Sequence, residues 1–443
     1  MAGDKPQKTV MNRWVVVVAA ILIQLCLGAI YAWSVFTPQL ELATDKGGYG
    51  FTASQTQWVF SAGLVTFALV MVWAGRKQAK VGPRPLAVAG GIVLGAGYIL
   101  GAFFGDSFWG QLVCIGIIGG AGIGLAYVVP IAVGVKWFPD KKGMITGLAV
   151  AGFGFGATLW VKLGGSWFGG LLNVCDEMMG LPGVQAVFFI YGIAFLVCVL
   201  VGSIAMVNPP DGYRPTGWVP PEASADGGPA LGAVDLTEKE MLGTPQFYMV
   251  WLTFMLSAMA GLMVIGCIKL FGIDALQHSG AAETAKAAST TAGTAMALYA
   301  ILNGLGRIVW GTISDKLGRK ASIFLMCALQ GIVMLLFFKL GASAAGLIIG
   351  ACIIGFNFGG NFALFPAATA DFFGNNNVGR NYGWVFLSYG VAGIIGPQIA
   401  GHFKDAAPGD VNAWVTPFII AGIGCLAGAV LILLVKPLKK KEQ

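Results

Sequence analysis

Long apolar runs alternate with short polar punctuation along almost the whole chain. Cutting at charges, Pro and Gly leaves runs near 14–40, 52–75, 85–104, 109–136, 144–170 and 184–207, then 247–271, 289–313, 321–340, 344–368, 381–402 and 412–435. Crossing ~30 Å of hydrocarbon takes about 20 mainly apolar residues, so each run reads as a spanning helix. Between the sixth and seventh lies 208–246, with Asn208-Pro209-Pro210-Asp211, Pro220-Pro221 and Gly227-Gly228-Pro229. That composition cannot form a spanning helix and reads as a flexible cytoplasmic linker. The expected organisation is an all-α membrane protein of twelve helices: a bundle over 1–207, a linker over 208–246 and a second bundle over 247–443.

The two bundles are related. A shift of 236 residues superposes Gly75 on Gly311, Gly82 on Gly318, Gly124 on Gly360 and Pro130 on Pro366. The matches fall at corresponding places in each half, the mark of a parallel six-helix repeat. Most of the 27 Lys and Arg lie in the amino terminus, the even-numbered connections and the carboxyl tail, including Arg76, Lys77, Lys80, Arg84, Lys141, Lys142 and Lys436 to Lys441. The positive-inside bias therefore puts both termini in the cytoplasm, with the chain in the inner (plasma) membrane.

Composition agrees and removes other classes. With 57% hydrophobic and 11% charged residues, the chain lacks the charge to clothe a soluble globule. The net charge of +7 sits between spans, so it calls for no nucleic acid. Seven of the eight cysteines lie inside apolar runs without CxxC spacing, which argues against disulfides or a metal. Gly120-Ala-Gly122-Ile-Gly124 lies within a span and belongs to helix packing rather than dinucleotide binding. No Walker sequence, HExxH or GxSxG is present, so the chain offers no enzyme chemistry and no cofactor is expected.

Gly311-Thr-Ile-Ser-Asp315-Lys-Leu-Gly318-Arg319-Lys320, after the eighth run, resembles the signature turn of the major facilitator superfamily. In such a turn the glycines permit a tight bend, and the acid takes ion pairs that close the inner gate. The corresponding turn, Gly75 to Arg84, has Ala79 where the acid belongs. Two further stretches resemble the oxalate/formate antiporter family and, more distantly, the monocarboxylate transporters. They are Lys136-Trp137-Phe138-Pro139-Asp140-Lys141-Lys142-Gly143, and Phe365-Pro366 through Asp371-Phe372-Phe373-Gly374 to Arg380-Asn381-Tyr382-Gly383. The resemblance implies a monomeric carrier working by alternating access, with Gly311, Asp315, Gly318, Arg319 and Arg84 in the gate.

Within the apolar runs Arg307, in Asn303-Gly-Leu-Gly-Arg307-Ile-Val-Trp310, stands out. It lies about six residues, ~9 Å, above the cytoplasmic end of its helix. A buried Arg there costs on the order of 3 kcal/mol, so it should face a watery cavity or a partner. Its planar fork suits a carboxylate; the competing role is to tie two helices through backbone carbonyls. The resemblance favours the first, because the position matches the Arg of the eighth span that binds carboxylate in both families. Asn303, one turn earlier, could orient Arg307 or the anion. Tyr31 and Tyr127 match family aromatics lining the cavity, and Phe358 and Phe362 stand where the oxalate transporter has polar-tipped aromatics.

The eleventh span departs from the oxalate pattern. Where oxalate-transporting members carry a Lys, this chain has Tyr389. A dianion held by one Arg keeps an unpaired buried charge costing several kcal/mol, whereas a monoanion is neutralised. The expected cargo is thus a small monocarboxylate of the lactate, pyruvate or formate class, with oxalate/formate-type exchange as the alternative. Where proton-coupled relatives place an Asp, this chain has Asn303, so a proton could travel on or be shared with the substrate, or the carrier could exchange anions instead. His278, in the connection Gly272 to Lys286, and His402 read as solvated.

Overall fold

The computed structural model describes residues 11–138, 142–175, 177–178, 180–210, 213, 215, 235–374, 377–436 and 438. Most of the expected linker, the stretch 139–141 and most of the basic tail lie outside the described residues, as do the side chains at 79 and 142. Twelve helices among the described residues are long and apolar enough to cross a membrane. They are α1 (Arg13–Val35), α2 (Ala53–Gln78), α3 (Pro83–Phe104), α4 (Phe108–Trp137), α5 (Gly147–Gly165), α6 (Gly183–Ser203), α7 (Pro245–His278), α8 (Ala285–Leu317), α9 (Arg319–Leu340), α10 (Ala344–Phe373), α11 (Arg380–Ala406) and α12 (Val411–Leu434).

Polar residues at or just before the edges of the runs start these helices. Thr52 and Gln55 form a reciprocal capping box before α2, and Thr244, Thr284 and Ser343 accept backbone N–H groups at the starts of α7, α8 and α10. The caps also shorten one connection. Gly272 to Lys286 was expected to be polar loop, but Ala275 and Leu276 are buried and extend α7 to His278, while Thr284 starts α8 at Ala285. His278 is therefore the exposed last residue of α7. The only strand pairing among the described residues is two residues long, Glu177–Met178 against Leu181–Pro182.

The repeat is visible in the backbone. Gly82 and Gly318, equivalent under the 236-residue shift, precede α3 and α9 at φ 88° and 86°, a conformation that favours glycine. Pro130 and Pro366 stand inside α4 and α10. The halves meet where α2 packs on α11 and α5 on α8. These crossings are close: a Cβ on Gly393 would come within 2.8 Å of Leu64, and one on Gly154 within 3.0 Å of the Ala300 carbonyl. The face that carries both ends of the twelve-helix bundle is called the terminal face below, and the opposite one the far face.

Candidate functional site

A cavity of about 920 Å³ enters between the halves from the terminal face. Arg76, Lys136 and Arg380 stand at its mouth, and Tyr127, Val150, Phe362 and Phe386 line its depth. The mouth cations concentrate anions, since a low-dielectric cleft lined by one sign of charge focuses its field. Arg76 is bridged to Glu238 at 2.6 Å and Lys136 donates to the Asn208 amide oxygen at 3.1 Å. Arg380 is exposed.

Arg307 lies just behind this lining and is only 4% exposed. Its Nε and Nη2 donate to Asn303 Oδ1 at 3.2 and 3.0 Å, which holds the guanidinium along its own helix. Nη1 donates to the Val150 carbonyl of α5, in the other half, at 3.2 Å. The Phe362 ring covers the guanidinium carbon at 4.2 Å, a cation–π contact. Of the five N–H groups, three are used by Asn303 and Val150, and the Tyr127 hydroxyl also lies in hydrogen-bond contact with the guanidinium. No carboxylate among the described residues pairs with Arg307. Beside it, the Asn303 amide nitrogen is buried and has no partner. The helix-tying contact is thus present, with one backbone carbonyl engaged, while the positive charge has no carboxylate partner among the described residues and the Asn303 amide is unanswered.

The expected aromatics gather around this point. Tyr31 of α1 and Tyr389 of α11 share a hydroxyl–hydroxyl hydrogen bond of 2.8 Å, so Tyr389 spans the halves. Tyr31 packs edge-on to Phe153 at 5.0 Å and against Phe358 at 5.9 Å; Phe358 and Phe362 meet at 5.3 Å. Tyr127 packs on Phe67 and Phe153 at 5.0 and 5.5 Å. Phe67, Phe153 and Phe386 complete the box, but a lone Phe in an apolar run carries no mark of its position. Val150 contributes only its carbonyl, which no side-chain pattern announces.

The residues expected at the gate sit apart from these aromatics. Arg319 binds Asp315 at 2.8 Å and Asp371 of α10 at 2.9 Å, and also donates to the Ser314 hydroxyl. This ties α8, α9 and α10 of one half together. Gly311 leaves room beside Ala363, with ordinary contact for a Cβ at 3.6 Å. Arg84 donates to the Ile204 carbonyl at the end of α6 and likewise stays within its own half. One inter-half latch at the terminal face comes from a residue not singled out in the sequence: Glu238 binds Arg76 of α2 and accepts from Trp384 Nε1 of α11 at 2.9 Å.

Arg307 is also not alone among buried cations. Lys269 of α7 is 6% exposed and donates to the Ser289 carbonyl, while Lys162 of α5 reaches Thr294 of α8 at 3.0 Å. α7 runs on to His278, so Lys269 lies well inside it.

Two halves of six helices around a buried cation meet the description of a known architecture, and the model of the Major Facilitator Superfamily matches residues 20–288 and 276–443. The chain belongs to the major facilitator superfamily. This facilitator is 30% identical to the "Uncharacterized MFS-type transporter YhjX" of Escherichia coli K12, over 88% of each chain. It is 28% identical to the "Oxalate:formate antiporter" of Oxalobacter formigenes, over 93% of this chain and 88% of that one. It is 25% identical to the "Apicoplast pyruvate carrier 1" of Toxoplasma gondii, over 85% and 81%. It is thus a multi-pass membrane transporter rather than an enzyme.

Proposed function

We propose that this facilitator carries a small monocarboxylate of the lactate, pyruvate or formate class by alternating access between its halves. The observation that carries the reading is Arg307: a buried cation with no acid partner among the described residues and the orphaned Asn303 amide beside it, behind Phe362 at the end of an open cavity. One carboxylate answers the charge and the donors together. Tyr389 adds a hydroxyl already engaged by Tyr31 rather than a second cation, so a dianion would stay half neutralised. The names of the relatives, an oxalate:formate antiporter and a pyruvate carrier, support the carboxylate class.

On this reading bundles 1–207 and 247–443 rock as a monomer about Arg307, and 208–246 joins them. Tyr31, Tyr127, Tyr389, Phe358 and Phe362 wall the anion, Asn303 orients it, and Gly311, Asp315, Gly318, Arg319 and Arg84 stiffen the terminal-face turns. That face is cytoplasmic in the inner membrane. Oxalate/formate-type exchange is the second reading, supported by the antiporter relative and by Asn303 where an acid would serve a proton.

Labelled pyruvate, lactate, formate and oxalate offered to proteoliposomes test both. Monocarboxylate flux should fall more than 100-fold in Arg307→Ala and substantially in Arg307→Lys, which keeps the charge and loses the fork. Flux unchanged in both variants overturns the assignment, and oxalate outcompeting pyruvate favours exchange.

A further inference from the structure

We propose that Lys162 and Lys269, one from each half, form a second carboxylate site near the far face, distinct from Arg307 and on the route by which an anion reaches it when that face opens.

Three polar contacts tie the halves along the crossing of α5 and α8. Nearest the terminal face Arg307 Nη1 donates to the Val150 carbonyl at 3.2 Å, next Thr158 Oγ1 donates to the Ala297 carbonyl at 2.9 Å, and nearest the far face Lys162 Nζ donates to Thr294 Oγ1 at 3.0 Å. Twelve residues of α5 separate Val150 from Lys162, ~18 Å at 1.5 Å per residue. Lys269 reaches the same stretch of α8 from α7. Its Nζ donates to the Ser289 carbonyl and stands 3.1 Å from where a Cβ on Gly293 would be, one residue before Thr294. The missing side chain of Gly293 leaves the room that this ammonium occupies. The two cations therefore share one short segment of α8 and act on each other as like charges.

No carboxylate among the described residues pairs with Lys162 or Lys269. α5 carries no acid, and that of α8, Asp315, stands at the opposite end of its helix. Asp274, five residues beyond Lys269, is taken by Lys404 and by Trp414 Nε1. Lys404 thus has the acid that a lysine tying two helices ordinarily has, and Lys162 and Lys269 do not. Each ammonium carries three donors, and one acceptor is found for each among the described residues. Lys269 is only 6% exposed, so bulk water does not answer its charge. A tie to α8 would need only a neutral donor. Two like charges beside one another repel, whereas a carboxylate accepts from both with its two oxygens and removes the repulsion.

Opening the far face parts α5 from α8 and breaks the bond from Lys162 to Thr294. Lys162 then stands on one wall of the cleft and Lys269 on the other, with Arg307 at its depth. A cleft lined by one sign of charge focuses its field and concentrates anions. A small carboxylate entering from the far face is held by the lysine pair before it reaches Arg307.

The identity of the ligand rests on the carboxylate reading above, whereas the place of the site rests on the two lysines alone, so the test separates them. The full chain in nanodiscs is acetylated with a water-soluble N-hydroxysuccinimide ester, and the rate at each lysine is read by peptide mass spectrometry with and without lactate, which has no carbonyl carbon to trap an amine. Lactate at ten times its half-saturating concentration should slow Lys162 and Lys269 ~10-fold along one common binding curve. The exposed Lys46 and Lys286 should be unaffected, and chloride at equal ionic strength should protect neither member of the pair. Lys162→Gln should remove the protection of Lys269, and Lys269→Gln that of Lys162, while Lys162→Arg, which keeps the charge, should preserve it. Arg307→Ala should leave the protection intact. Lysines that do not react, that react without protection by lactate, or that lose protection in Arg307→Ala overturn the proposal. Protection without Arg307-dependent flux overturns only the assignment of Arg307; Arg307-dependent flux without protection overturns only the second site.

Discussion

Replacing Asn303 by Asp places a carboxylate where the amide now is and tests what the buried guanidinium is for. The change is nearly isosteric, and the retained oxygen already lies 3.0 and 3.2 Å from Nη2 and Nε of Arg307. The new carboxylate therefore forms an ion pair through that oxygen without repacking, answers the positive charge, and removes the unpartnered amide donor beside it. Separating a buried pair of this kind costs about 3–5 kcal/mol, and an incoming carboxylate must now bind a site whose net charge is zero. At 1.4 kcal/mol per tenfold, affinity for a monocarboxylate should drop at least ~100-fold at pH 8. Protonating the new side chain restores the cation, so binding should recover by up to tenfold per pH unit on acidification. Scintillation-proximity binding of labelled pyruvate to the purified variant between pH 5 and 8 measures both. Wild-type affinity at pH 8 would refute the reasoning, for then Arg307 does not hold the anion by its charge.

Tyr389→Lys supplies a second cation near the site in place of the hydroxyl bound to Tyr31, and should raise the oxalate-to-pyruvate uptake ratio at least ~10-fold, read in competition assays. An unchanged ratio would separate Tyr389 from selectivity. A Cβ on Gly359 would stand 2.0 Å from the Asn303 carbonyl, so Gly359→Ala must push α10 off α8 beside Arg307. Its thermal midpoint should fall by several degrees, consistent with an overpacking cost of about 1–3 kcal/mol. Asp371→Asn weakens one of the two ion pairs of Arg319, whose groups are about one-fifth exposed, and should cost about 1 kcal/mol in denaturant unfolding with substrate selectivity unchanged.

Where chemistry depends on position along one helix, the sequence was a sufficient guide. Arg307 and Asn303 are four residues apart, so helical geometry alone brings them together, and the bond between them is the one found. The repeat likewise carried the architecture, because Gly82 and Gly318 mark the same bend twice. What stayed hidden arises between elements. The Val150 carbonyl becomes a partner of Arg307 only through the crossing of α5 and α8, and nothing about Val announces it. Glu238 binds both Arg76 and Trp384, though it lies within 208–246, a segment whose composition says only that it is not a span. Asp405 illustrates the limit most sharply: its carboxylate accepts the backbone N–H groups of Ala53 and Ser54 at 2.8 and 2.9 Å and so caps α2 from the other half. Those partners lie 352 and 351 residues away along the chain, so only the packing of α2 on α11 brings them together, and no local pattern marks this acid as a cap.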